Sequence, residues 1–178
     1  EEKKVYLAFN KPRGIVCTAE KREKNNVIDY LSYPVRIYPV GRLDKDSEGL
    51  LLMTNDGAIV NGIMRARNRH EKEYQVEVNK EITPEFLKKM ASGVPILDTV
   101  TRPCRIRKTG ERSFTIILTQ GLNRQIRRMC EALGYRVTKL KRVRIMNVHL
   151  KDLKTGEYRP LTEKELAELK KQIGEEKR

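Results

Sequence analysis

The stretch YPVGRLDKDSEGLLLMTNDG, Tyr38 to Gly57, sets an acid, Asp44, between two bases, Arg42 and Lys45, just ahead of an apolar run. Two chemistries suit such a carboxylate. It could ligate a metal: Asp44, Asp46 and Glu48 take the first, third and fifth places of a calcium-type loop, with Gly49 at the sixth. The twelfth place is Asn55, where that loop needs a bidentate Glu, and Leu50 to Met53 is too apolar to supply ligands. A magnesium nuclease centre would need further carboxylates, and no spacing ties Asp56 or Asp98 to Asp44. Alternatively the carboxylate is a nucleophile in a basic cleft that holds a polyanion. A charged surface turn is the plain alternative to both.

Two other stretches carry usable groups. In a helix from Asn123 to Leu133, a step of about 100° per residue puts Ile126, Met129, Cys130 and Leu133 on one face. Arg124 and Arg128 point away from that face, and Arg127 sits at its edge, part-buried. A part-buried guanidinium needs a carboxylate partner, and Asp44 is a candidate. The plain reading is a basic helix face. Tyr74 lies on a strand, Glu73 to Val78, that alternates strictly, with Tyr74, Val76 and Val78 on the inward side. Taken alone it is a core tyrosine; beside an RNA cleft it could stack on an extruded base.

The elements that position these groups follow from local signals. Val5 to Phe9 reads as a buried strand closed by Lys11-Pro12-Arg13-Gly14, Thr18 to Asn26 as a polar loop, and Val27 to Leu31 as a short helix. Pro34 and Pro39 bracket a brief extended piece, and Leu50 to Thr54 is a buried strand. Asp56 caps a helix running to about Arg65, and Thr83 with Pro84 opens another that Gly93 ends. Arg105 to Lys108 and Ser113 to Thr119 form a strand pair. Asn123 caps the basic helix, which stops at Gly134. Tyr135 to Leu150 holds one or two strands, and Thr162 with Glu165 makes a capping box for a last helix. Strands and helices mix without regular alternation, which predicts an α+β class.

The chain has 178 residues, with 38 Lys and Arg against 24 Asp and Glu, a formal charge of +14. The bases are spread through the body of the chain, so a polyanionic partner is expected. No apolar stretch approaches the ~18 residues of a membrane span. Cys17, Cys104 and Cys130 are far apart and read as reduced structural thiols; His70 and His149 are isolated, so no metal site is expected.

Together, Gly41-Arg42-Leu43-Asp44, Lys72-Glu73-Tyr74 and Gly121-Leu122-Asn123-Arg124-Gln125-Ile126-Arg127-Arg128-Met129 resemble the bacterial ribosomal RNA pseudouridine synthases of the RsuA/RluB/RluE/RluF family. Phe9-Asn10-Lys11-Pro12-Arg13-Gly14 and Leu140-Lys141-Arg142-Val143-Arg144-Ile145 add to the resemblance, which runs in order from Val5 to Leu161. It implies a central mixed, mostly antiparallel sheet with flanking helices and an active-site cleft between two subdomains. It implies a catalytic domain over 1–161 and a C-terminal helix with a frayed tail over 162–178. The small N-terminal RNA-binding domain of the family is expected to fall outside this chain.

By the same resemblance Asp44 is the catalytic carboxylate, Arg127 pairs with it and keeps it ionised, and Tyr74 stacks on the flipped uracil. Arg42, Lys45, Arg124 and Arg128 hold RNA phosphates, Leu43, Gln125 and Ile126 belong to the substrate side of the site, and Leu140 packs beneath it. Asp44-Lys45-Asp46-Ser47, His70-Glu71-Lys72-Glu73-Tyr74 and Gly93-Val94-Pro95-Ile96-Leu97 lean towards the RluF-like branch, whose substrate is a uridine of 23S ribosomal RNA, with tRNA as a second candidate. The resemblance implies a cytoplasmic monomer that needs no cofactor and no metal. A non-catalytic ribosomal RNA-binding or assembly factor is the competing expectation.

Overall fold

The computed structural model describes residues 2–176, and the side chains of residues 2–174. Two compact units divide the chain. The first holds the residues up to Ala66 and those from Val143 on; the second runs from Arg67 to Arg142. The first contains β1 (Tyr6–Lys11), α1 (Val27–Leu31), β2 (Tyr38–Val40), β3 (Glu48–Thr54) and α2 (Gly57–Arg65). The second contains β4 (Lys72–Val78), α3 (Pro84–Ser92), β5 (Pro95–Ile96), β6 (Thr99–Val100), β7 (Arg105–Gly110), β8 (Ser113–Leu118) and α4 (Gln125–Ala132). The boundary falls inside β9 (Val137–Ile145); β10 (Val148–His149), β11 (Tyr158–Pro160) and α5 (Glu163–Glu176) return to the first unit. The class is α+β, as expected, and each strand pairing described below is antiparallel.

In the first unit β3 has no polar residue from Leu50 to Met53 because both of its faces are covered. Leu50 and Leu52 join one core with Ile59, Ile63, Leu169 and Ile173; Leu51 and Met53 join a second with Leu7, Phe9, Val27 and Leu43. β1 runs antiparallel to β3, Tyr6 opposite Thr54 and Lys11 opposite Gly49. The other edge of β1 takes β11, Leu7 opposite Pro160. β2 pairs with β3, Val40 opposite Leu52. Asp56 caps α2 by accepting from the amides of Ala58 and Ile59 at 3.1 and 3.4 Å. It also takes the Tyr6 hydroxyl at 2.5 Å, and burial together with that bond pushes the phenol up to about 12.

The last helix is fixed at its start by the capping box. The Glu165 amide donates to Thr162 Oγ1 at 3.0 Å, and the Thr162 amide donates to Glu165 Oε1 at 2.9 Å. The Glu165 carboxylate is 8% exposed and receives both arms of Arg159 at 2.7 and 2.9 Å. These bonds pull its pKa from 4.5 to about 2. The folded pKa lies below the unfolded one, so the contribution is complete above about pH 4.5 and fades as pH falls towards 2. Glu165→Gln is expected to cost about 2 kcal/mol at neutral pH and to flatten the loss of stability across that acid window. Urea unfolding of both proteins from pH 7 down to pH 3 checks this. The helix stays regular through Glu176, beyond the Gly174 where fraying was expected; residues 177 and 178 of the expected tail lie outside the described residues.

In the second unit β8 is central. It pairs with β4, Tyr74 opposite Ile116, and with β7, Ile106 opposite Ile116. Alternation puts Val76, Val78, Phe114, Ile116 and Leu118 in one core, where they meet Phe86 and Met90 of α3 and Ile126, Met129 and Cys130 of α4. Thr83 caps α3 through the Phe86 amide at 3.0 Å, and Gly93 closes it at φ +124°.

Candidate functional site

Asp44 stands in the loop that joins β2 to β3. Gly41 opens this loop with φ +74°, a left-handed turn that other residues seldom adopt. Leu43 then plunges into the core, 6% exposed, and its amide donates to Cys17 Sγ at 3.4 Å. With Leu43 pinned inward, the next side chain, Asp44, is left half-buried at the rim, while Arg42 and Lys45 are exposed on either side. The backbone is tied on its far side too: the Ser47 amide donates to Asp44 O at 3.0 Å and the Gly14 amide to Lys45 O at 2.8 Å.

The spacing gave no hint of Lys11. This lysine is fully buried at the end of β1, and its ammonium donates to the carbonyls of Pro12 at 2.9 Å and Ile15 at 2.7 Å. Burial pushes its pKa below the ordinary value, while Cys17, Asp44, Asp46 and Glu48 pull it back up. Asp44 therefore has a buried cation of its own unit within electrostatic reach. A Lys-Pro pair reads as an exposed turn from sequence; only the fold of Pro12 to Ile15 around the ammonium reveals otherwise.

Tyr74, in the second unit, is half-buried on β4 and rests on the core that contains Ile126 and Leu140. Leu140 is 7% and Ile126 4% exposed, so both lie within that core. Arg127 is buried more deeply than its place at the edge of the apolar face suggested, at 8% exposure. Gln125, at 5%, has its amide engaged inside the unit: Oε1 accepts from the Leu122 amide at 3.2 Å, and Nε2 donates to Gln120 Oε1 at 3.3 Å.

The cap expected of Asn123 is not formed. Arg124 takes the N-cap position in the left-handed conformation, φ 47°, with no side-chain cap, and α4 begins at Gln125. Asn123 instead holds Arg128: its Oδ1 accepts from Nη2 at 2.8 Å and its carbonyl from Nε at 3.0 Å. Arg128 is thus partly committed within the unit, whereas Arg124 is exposed. Arg42, Leu43, Asp44 and Lys45 come together in one loop, and Arg124 to Arg128 on one helix start. Asp44 belongs to the first unit; Tyr74 and Arg127 belong to the second.

The three cysteines are free thiols, as expected. Burial pushes Cys104 up to about 11 and, with Glu131 beside it, Cys130 up to about 12, so neither suits nucleophilic work. Among the described residues, no group of three or more His, Cys, Asp and Glu is gathered as for a metal, and no helix is long and apolar enough to cross a membrane.

Residues 5–132, most of the chain and a range that includes the Asp44 loop, β4 and α4, match the family of RNA pseudouridylate synthases. The chain belongs to that family. Among curated relatives, the dual-specificity RNA pseudouridine synthases RluF of Salmonella typhi and of Escherichia coli K12 are 56% and 55% identical over 95% of this chain. The chain spans 58% of the length of those two relatives. The ribosomal large subunit pseudouridine synthase B of Bacillus subtilis is 36% identical over 95% of this chain and 72% of its own length. A crystal structure of a pseudouridylate synthase superposes with a TM-score of 0.86 at 31% identity, covering 95% of this chain and 75% of that one. The synthase fold expected from the sequence is thereby established for this family member.

Proposed function

We propose that the chain is the catalytic part of an RNA pseudouridine synthase that isomerises a uridine of 23S ribosomal RNA, with tRNA as a second substrate. The observation that carries this reading is the 55–56% identity to dual-specificity synthases over 95% of the chain, which takes in the Asp44 loop, the Tyr74 strand and the Arg127 helix. The formal charge of +14 suits the polyanion.

The reaction breaks the bond from the sugar to N1 of uracil, turns the base and joins the sugar to C5. The proton on C5 leaves and N1 gains one, so atoms and electrons balance without oxidant, leaving group or energy input. One carboxylate suffices in kind, and Asp44 is that carboxylate. Arg127 is the cation that this reading assigns to the carboxylate, and Lys11 of the first unit lies within electrostatic reach of it. Tyr74 stacks on the uracil once the nucleotide has left its helix, a step that costs a few kcal/mol and less in a loop. Arg42, Lys45 and Arg124 contact the phosphates. Leu43, Ile126 and Leu140 act by packing, and Gln125 by holding the turn before α4.

Carbodiimide treatment of 23S ribosomal RNA transcripts after incubation with the protein, followed by primer extension, is expected to show a new stop at one uridine. Transcripts without any new stop argue for the binding-factor reading. Lys11→Met is expected to lower kcat about tenfold with little change in KM, because it removes a buried charge within electrostatic reach of Asp44 and no exposed group that could contact RNA. Steady-state rates on the same transcript check this, and a KM effect alone would place Lys11 among the RNA contacts.

A further inference from the structure

Lys72 begins β4 two residues before Tyr74, on the same side of the strand, and none of the chemistry above uses it. Its ammonium donates to the carbonyl of Thr119 at 3.0 Å and to the carbonyl of Arg67. An ammonium has three protons, so one is left for a further acceptor. Burial first, and then the guanidinium groups of Arg142, Arg102 and Arg67, pull the Lys72 pKa from 10.5 down to about 8. The charges acting on it are all positive. Its neighbour Glu71 is engaged by Arg105 at 2.6 Å, and Glu73 lies on the other face of the strand, opposite Ile117.

The cations are held by a built scaffold. Arg102 Nη1 donates to Asn68 O at 2.6 Å, and Asn68 Oδ1 accepts from the Gly121 amide at 3.1 Å. The Arg102 amide donates to Gln120 Oε1 at 2.9 Å. Three segments, 67–72, 101–102 and 119–121, are thereby fastened to one another. Arg67 and Arg102 are exposed, Lys72 is half-buried, and Arg142 is buried at 8% exposure. Lys72, Arg67 and Arg102 repel one another, and an entering anion relieves that repulsion. Guanidinium forks and an ammonium match the oxygens of a phosphate.

We infer that Arg67, Lys72 and Arg102 form a phosphate-binding subsite of the second unit, which grips the RNA backbone next to the nucleotide stacked on Tyr74. The inference rests on the RNA reading above. The subsite fixes the strand at a point close to the reacting base, whereas Arg42, Lys45 and Arg124 hold it through exposed, single side chains.

The test is the salt dependence of binding. A fluorescein-labelled twelve-residue oligouridylate is titrated with the chain at several KCl concentrations, with melting curves run on every variant. The variants are Lys72→Met and the double variant Arg67→Gln/Arg102→Gln, the second confined to exposed residues. A control pair, Lys88→Gln/Arg107→Gln, removes the same charge from elsewhere in the unit. Each lost phosphate contact lowers the slope of log K against log salt by about 0.7 on a single strand. The expected result is a slope lower by about 0.7 in Lys72→Met and by up to about 1.4 in the double variant, with the control within about 0.3 of wild type. Slopes in the two test proteins that match the control overturn the subsite while leaving the RNA reading intact. A wild type that does not bind the oligouridylate overturns both. Inorganic phosphate at matched ionic strength is the second arm: displacement of RNA from wild type with unchanged variant slopes would assign the cluster to a free anion and overturn the RNA assignment.

Discussion

The Asp44→Asn variant is expected to lose about a thousandfold or more in the rate of uridine isomerisation under single-turnover conditions, with its melting temperature within a few degrees of wild type. In the proposed chemistry an amide of the same shape cannot attack as a carboxylate does, and it lacks the charge that lies within electrostatic reach of Lys11. The loop keeps anchors that the substitution does not touch: Leu43 is in the core, and the backbone carbonyls of Asp44 and Lys45 stay bonded to the amides of Ser47 and Gly14. RNA affinity is expected to stay the same or rise slightly, since a negative charge leaves a basic surface. A variant as fast as wild type would remove Asp44 from the chemistry.

Gly62→Ala is expected to destabilise the first unit by about 2 kcal/mol or more, lowering the melting temperature by roughly 4–8 °C. Gly62 is buried on α2, and a Cβ there would overlap Cγ2 of Ile173 on α5. Neither helix can retreat easily. α2 is fastened by the Asp56 cap and α5 by the box at Thr162 and Glu165. The double variant Gly62→Ala/Ile173→Ala is expected to be less destabilised than the sum of the two single changes, because Ile173→Ala removes the overlapping methyl. Additive losses in denaturant melts would mean that the helices do not meet in this way.

Much of this architecture is legible in the chain because local chemistry and tertiary structure agree. Asp56, Thr83 and the Thr162–Glu165 pair announce their helices and do cap them. The alternation of β4 and the unbroken apolar run of β3 report one covered face and two. What stays hidden depends on contacts distant in sequence. β11 is three residues long, contains Pro160, and exists because β1 offers an edge. The β5–β6 hairpin turns through Leu97 and Asp98 at φ 46° and 61°, without the glycine that normally marks such a turn. Asn123 has the right chemistry for a cap, but Arg124 turns left-handed and diverts it to Arg128. Among the candidate residues, the types of Asp44, Tyr74 and Arg127 can be read from motifs, whereas the burial of Lys11 and the gathering of Arg67, Lys72 and Arg102 cannot. Lysine and arginine read as surface residues until the fold encloses them.

The most direct measurement is tritium release from 23S ribosomal RNA transcripts labelled at C5 of uridine, with wild type and Asp44→Asn compared in EDTA. Isomerisation must expel the C5 hydrogen, whereas binding alone does not. The account predicts release by wild type, rising to one tritium per modified uridine, and none by Asp44→Asn. Release by both proteins, or by neither, would contradict it.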